Sequence, residues 1–149
     1  MNLEHAFSVA ADPDETYAFL LDVDRVAGCM PGMSSVEAES DSVFLGTLKV
    51  KVGPVGVTYR GRATITDRDD AARTAVIEAE GTEGAGAGGV RATARMSVSP
   101  EAGGSRVAIV TDVAIAGRLA QFGRGIIDGV AKRLVGQMAD CIRVKLEAS

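Results

Sequence analysis

The chain has 149 residues, enough for one domain with a real core, and its 46% hydrophobic and 24% charged content is ordinary for a globular protein. A formal charge of −4 argues against electrostatic binding of nucleic acid as the main activity. Aromatic residues are only 4%, with no Trp, while Gly reaches 18, so the core is expected to be built from small side chains.

Residues 2–10 alternate, with Leu3, His5, Phe7 and Val9 on one face, which predicts a half-buried strand. Asp12, Pro13 and Glu15 then form a helix start: a good N-cap, a Pro at the first helical position and an acid three residues past the cap. The helix is expected to run to about Leu21, with a second helical turn over 22–27 that stops before Gly28-Cys29-Met30-Pro31-Gly32. Six strand-like runs follow at 33–40, 42–52, 55–67, 74–82, 89–100 and 105–116, separated by turn residues such as Gly53-Pro54 and the Gly-rich stretch from Gly84 to Gly89. Short connections between consecutive strands predict an antiparallel meander. From Arg118 the period becomes helical, with Leu119, Phe122, Ile126, Ile127, Val130, Leu134, Met138 and Ile142 on one broad apolar face. About thirty residues at 1.5 Å rise give roughly 45 Å, enough to cross a small sheet. The expected architecture is one α+β domain over 1–149, a seven-stranded curved antiparallel sheet around a long C-terminal helix, with two short helices after the first strand.

Charge is split along the chain. Residues 1–42 hold nine acids against Arg25 alone, a net of −8, and residues 43–149 carry a net of +4. Cys29 and Cys141 make no disulfide framework and are expected as small buried thiols. With His5 as the only imidazole, no zinc-ligand spacing can be written, and no metal is expected. The N-terminus lacks the basic start and apolar run of a signal peptide, and no stretch reaches ~18 uninterrupted apolar residues, so a cytoplasmic location is expected.

Strand parity assigns an inner face. It carries Phe44, Gly46, Leu48, Val50 and Val52 on the third strand, and Val57, Tyr59, Gly61, Ala63 and Ile65 on the fourth. Ala75, Ile77, Ala79 and Gly81 follow on the fifth, and Val90, Ala92, Ala94, Met96 and Val98 on the sixth. Many of these are Gly or Ala, and the facing helix adds Gly123, Gly125, Gly129 and Gly136. Each helical Gly costs about 1 kcal/mol relative to Ala, so the four imply either close packing on the sheet or room for a ligand. The expected cavity is lined by Leu48, Val50, Tyr59, Gly61, Ala63, Ala79, Ala92, Ala94 and Met96 from the sheet, and by Leu119, Phe122, Ile126 and Val130 from the helix.

No Ser–His–Asp, Cys–His or paired-carboxylate set can be assembled from inward positions, so a non-catalytic role is expected. His5 is either a structural imidazole or a general base, and the Tyr59 phenol either bonds a ligand carbonyl or reaches a backbone partner. The Gly-rich run contains GxGxGG but lies between strands with no helix after it, which predicts a hairpin loop and not a nucleotide site.

Phe7-x-Val9-x-Ala11-x-Pro13, the Leu20-to-Gly32 segment ending Cys29-Met30-Pro31-Gly32, Gly46-x-Leu48 through Gly53-Pro54, Tyr59-x-Gly61, the segment from Gly81 to Gly89 and Gly117 through Gly123 together resemble the carbon monoxide dehydrogenase CoxG family, a START-like, SRPBCC branch. The resemblance covers essentially the whole chain in order. It implies a helix-grip fold and an accessory protein that accompanies molybdenum hydroxylases of the CO dehydrogenase type and links them to the membrane respiratory chain. With a START-like cavity, it further implies a lipophilic ligand, a respiratory quinone such as menaquinone, and transient contact with the inner face of the cell membrane. Many relatives continue past the long helix into a variable, membrane-contacting tail. This sequence stops at Ser149, which leaves a short member and a shortened chain both open. Met30, Pro31, Met33, Gly53 and Pro54 are expected either to gate the cavity toward the bilayer or to cap the core as ordinary buried loops. A START-like cyclase or dehydratase, and an assembly factor without ligand, are the alternatives.

Overall fold

A computed structural model describes residues 1–83 and 88–147 of the chain. The sequence folds into strand β1 (Asn2–Val9), helix α1 (Pro13–Leu21), the short helix α2 (Val23–Val26) and a 3-10 turn at Ala27–Cys29. Strands β2 (Met33–Ala38), β3 (Val43–Val52), β4 (Val55–Asp69), β5 (Thr74–Glu83), β6 (Gly89–Glu101) and β7 (Gly104–Ala116) follow. A second 3-10 turn (Arg118–Gln121) leads into helix α3 (Arg124–Glu147). The strands form one sheet in the order β1-β7-β6-β5-β4-β3-β2, every pair antiparallel, as the short connections require. Of the Gly-rich run, residues 84–87 lie outside the described residues.

Asp12 occupies the N-cap of α1 and Pro13 its first position, but the Asp12 side chain makes no capping bond; its carbonyl accepts the Thr16 amide at 2.9 Å. Asp14 and Glu15 in the first turn favour the helix dipole. The buried Thr16 hydroxyl is 3.0 Å from Ser105 Oγ, which also bonds the Ala11 carbonyl, and this fastens α1 to β7.

The long helix departs from its expected start at Arg118. Phe122 is extended (φ −86°, ψ 141°) and Gly123 follows it, so the chain makes a separate 3-10 turn before α3 begins at Arg124. At 24 residues, α3 is about 36 Å long instead of 45. It lies against β1 and the Ala27–Cys29 turn. Arg124 donates to the Asn2 carbonyl (2.8 Å), Arg143 to the Ser8 carbonyl (2.9 Å), and the Ala10 amide to Glu147 Oε2 (2.9 Å).

The two cysteines are not free thiols: Cys29 and Cys141 form a disulfide between the Ala27–Cys29 turn and the last third of α3. A separation of 112 residues hides this pairing from local spacing, and only the return of α3 across the turn brings the two together.

Buried side chains gather at the two ends of the sheet's inner face. At one end Phe7, Phe19, Leu20, Val98, Val107, Met138 and Ile142 form the larger core, joined by Met96 and Ala75. At the other end Val52, Val57, Tyr59 and Leu119 form a smaller one, with Val50, Phe122 and Val130 packed against it.

Candidate functional site: a trough between two cores

The pairing register stacks inward-facing residues into cross-strand rows. One row reads Phe44–Ala63–Ala79–Ala92–Val113 and the next Gly46–Gly61–Gly81–Val90–Ile115. A third, toward the large core, is Ile65–Ile77–Ala94–Thr111. All of these residues are only half-buried, whereas Met96, Val98 and Val107 on one side and Val57 and Tyr59 on the other are at most 6% exposed. Three rows spaced by two residues at about 3.3 Å each make an apolar trough about 13 Å from its first row to its last. Of the helix, Val130, Ala131 and Leu134 are half-buried.

Small side chains in the trough have two separate causes. Ala63, Ala79, Ala92 and Ala94 leave space where the sheet carries no larger group. Gly61 instead permits a close approach: a Cβ there would run into the Glu80 carbonyl and the Gly81 backbone of the neighbouring strand.

The helix glycines do not face the trough. Gly125, Gly129 and Gly136 are exposed on the side opposite Ile127, Met138 and Ile142, and a Cβ on any of them, or on Gly123, would meet nothing within 4 Å. Neither close packing on the sheet nor ligand room explains them. Ile126, expected among the cavity residues, points outward at 52% exposure, while Ile127, expected on the same apolar face, is buried. Met96 belongs to the large core, while Leu119, Phe122, Val50 and Val130 belong to the small one.

At the small-core end lies the row Met33–Leu48–Tyr59–Glu83. Tyr59 is 5% exposed and its Oη has no hydrogen-bond partner among the described residues. Burial first, then the negative charge of Glu83, push its phenol above the ordinary pKa of 10, so it stays a proton donor at neutral pH. Glu83, 7% exposed, accepts the Arg118 amide on Oε1 at 3.2 Å. Beyond the trough's other end, in the row of Met96, His5 Nε2 lies 3.3 Å from Asp128 Oδ1, off hydrogen-bond geometry. Among the described residues it is the second buried polar side-chain atom without a hydrogen-bond partner.

Both carboxylates escaped the inner face expected from sequence. Glu83 was readable, because the parity that places Ala79 and Gly81 inward continues to it, and the strand extends one residue past the expected end. Asp128 follows Ile127 on the helix and emerges only once β1 is known to lie beside it.

Of the expected gate, Met30 packs against the large core, Pro31 is half-buried and Met33 lies over Gly46. Gly32, at φ 82°, sits so close to the Lys49 carbonyl that no side chain fits there. Gly53 and Pro54, at the β3–β4 turn, are exposed. Two open depressions, of about 620 and 780 Å³, are rimmed by the outward-facing Arg62, Glu80 and Arg91, and their walls also include trough-row residues: Ala79, Ala92 and Val113 in the first, Gly61, Gly81, Val90 and Ile115 in the second. Among the described residues no cluster of three or more His, Cys, Asp or Glu could hold a metal, and no helix is long and apolar enough to cross a membrane.

An antiparallel sheet gripping a C-terminal helix, with two short helices after the first strand, is the START-like, SRPBCC architecture. Residues 6–147 match the carbon monoxide dehydrogenase CoxG family, and the chain belongs to that family. Among solved structures it is similar to a conserved protein from Geobacillus kaustophilus, at 19% identity and TM-score 0.89, covering 100% of this chain and 97% of that one. It is also similar to the Zhui aromatase/cyclase from Streptomyces sp. R1128 (18%, TM-score 0.70, covering 99% and 93%) and to a START superfamily protein from Mycobacterium smegmatis (10%, 0.71, covering 99% and 97%). At these identities the likeness establishes the fold. A comparison with curated proteins returns no match.

Proposed function

We propose that this CoxG-family chain is a non-catalytic carrier of a lipophilic ligand, an isoprenoid quinone of the menaquinone type. It would serve a molybdenum hydroxylase of the CO dehydrogenase type and couple it to the membrane electron-transport chain. The observation that carries this reading is the buried Tyr59 Oη, without a hydrogen-bond partner among the described residues, at the end of an apolar trough. An unsatisfied buried hydroxyl costs about 1–3 kcal/mol, which a ligand carbonyl relieves, and about 13 Å of Ala- and Gly-rich surface accommodates the first part of an apolar tail. Family membership supports the enzyme partner.

Peripheral contact with the inner face of the membrane follows from the ligand's solubility. The disulfide ties the Cys29–Met33 side to α3, so of the two expected gates the exposed Gly53-Pro54 turn is the one free to open. Disulfides are rare in reducing compartments, and of the bonded pair Cys29 is buried while Cys141 is half-buried. The test is a titration of the full chain with a short-tailed menaquinone analogue, followed by calorimetry. Saturable one-to-one binding is expected; no binding contradicts the carrier role.

The ionisable pairs Tyr59–Glu83 and His5–Asp128 favour a second reading, an enzyme of the cyclase or dehydratase type. Turnover of an aromatic polyketide-type substrate that is lost in Glu83→Gln would replace the carrier reading.

A further inference from the structure

Glu83 is a carboxylate on the inner face of a sheet whose other inward positions are almost all apolar. It stands directly across the ladder from Tyr59, so the two side chains share a face with their Cβ atoms about 5 Å apart. A carboxylate offers about four acceptor positions, and the Arg118 amide fills one of them. Arg118 is held in turn by its guanidinium, which donates to the Gly56 carbonyl at 3.0 Å, so the β4 start, the 3-10 turn and Glu83 form one rigid corner. Tyr59 Oη, on the same face of the sheet, is a donor with nothing to donate to among the described residues.

We propose that Tyr59 and Glu83 form a head-group subsite that recognises a phenolic hydroxyl, and therefore selects the reduced, hydroquinone form of the carried ligand over the quinone. The ligand O–H donates to Glu83, and the same oxygen accepts from the Tyr59 O–H. A quinone carbonyl can satisfy only Tyr59. Facing Glu83 it brings lone pair against lone pair and leaves a buried carboxylate unmatched. Sites built to bond a hydroxyl reject analogues that lack it strongly. This inference rests on the carrier reading and adds direction to it: the protein holds the ligand most tightly after reduction.

The experiment compares a short-tailed menaquinone analogue with its pre-reduced hydroquinone, each titrated anaerobically into the full chain, Glu83→Gln and Tyr59→Phe. The Gln carbonyl can still accept the Arg118 amide, and circular dichroism confirms folding. The parent is expected to bind the hydroquinone at least tenfold more tightly, equivalent to a rise of about 30 mV in the midpoint potential of the bound two-electron couple. Glu83→Gln should bring the two affinities within about threefold, and Tyr59→Phe should weaken both forms alike. Equal binding of both forms by the parent, or a preference that survives Glu83→Gln, overturns the subsite while leaving the carrier in place. Failure of the parent to bind either form removes the carrier as well.

Discussion

The two stretches of inner face on either side of the Ala94 row differ in what their side chains do. Toward Val98 and Val107 the sheet meets α1, α3 and the disulfide, and large groups such as Phe19 and Ile142 are completely buried. Toward Ala92 and Gly81 the same sheet, in the same register, carries Ala and Gly at its centre (Gly61, Ala63, Ala79, Gly81, Ala92), and these stay half-buried. Full burial of a large aliphatic or aromatic side chain contributes about 1.5–3 kcal/mol, so stability concentrates in the first stretch. The second contributes little to folding and is free to be shaped by a ligand. The contrast separates the part that makes the molecule stable from the part proposed to hold the ligand.

Reducing the Cys29–Cys141 bond, or replacing both residues with Ser, is expected to give the largest loss. Opening a loop of 112 residues frees chain entropy worth about 4–5 kcal/mol in the unfolded-state picture. Guanidinium unfolding with and without a dithiol reductant measures it, and a loss below about 1 kcal/mol would show the bond to be incidental to the packed end. Ile142→Ala comes next, at about 2–5 kcal/mol, because its site is fully buried in the large core.

An alkaline limit follows from Tyr17, whose hydroxyl donates to the Thr74 carbonyl (2.8 Å) and lies 3.1 Å from Asp70 Oδ1. Burial, then the hydrogen bond to Asp70, push its pKa up to about 12 from 10.0. Between these values the folded state holds a proton that the unfolded chain has lost, so this group's stability is intact below pH 10 and falls as pH rises toward 12, on the order of 2 kcal/mol in all. Urea unfolding at stepped pH should show a shallower decline in Tyr17→Phe, offset by about 1 kcal/mol lost at neutral pH.

Gly129→Ala carries the smallest effect, with the opposite sign. The position is helical, exposed and unobstructed, so Ala should stabilise by about 0.5–1 kcal/mol and leave ligand binding untouched. A loss of binding would move the trough back beneath that face of the helix.

How much of this was legible beforehand depended on whether the signal was local. Gly53-Pro54 and the Glu101-to-Gly104 turn mark strand ends within a residue or two, and alternation fixes which side each residue faces, so the sheet and its Ala-rich inner band could be read directly. Parity also held Glu83, on the last residue of β5. The helix start was masked because Leu119 and Phe122 keep helical spacing through a 3-10 turn. Gly125, Gly129 and Gly136 are spaced by four and seven residues, which puts them on one face, but only the packing of α3 shows that it is the solvent face. The disulfide and the His5–Asp128 approach join residues more than a hundred positions apart and leave no trace in spacing.

The central claim, that an apolar ligand occupies the trough on the inner face, is tested most directly by extracting the purified protein with organic solvent and measuring the extract by mass spectrometry. The parent is compared with Ala92→Leu, which fills the trough, and with Ala114→Leu on the outer face, where Ala114 lines both open depressions. Both variants should stay within about 1 kcal/mol of the parent, since neither site is tightly packed. An isoprenoid quinone is expected from the parent and from Ala114→Leu, and not from Ala92→Leu. An empty parent, or a ligand that persists in Ala92→Leu and disappears from Ala114→Leu, would contradict the assignment.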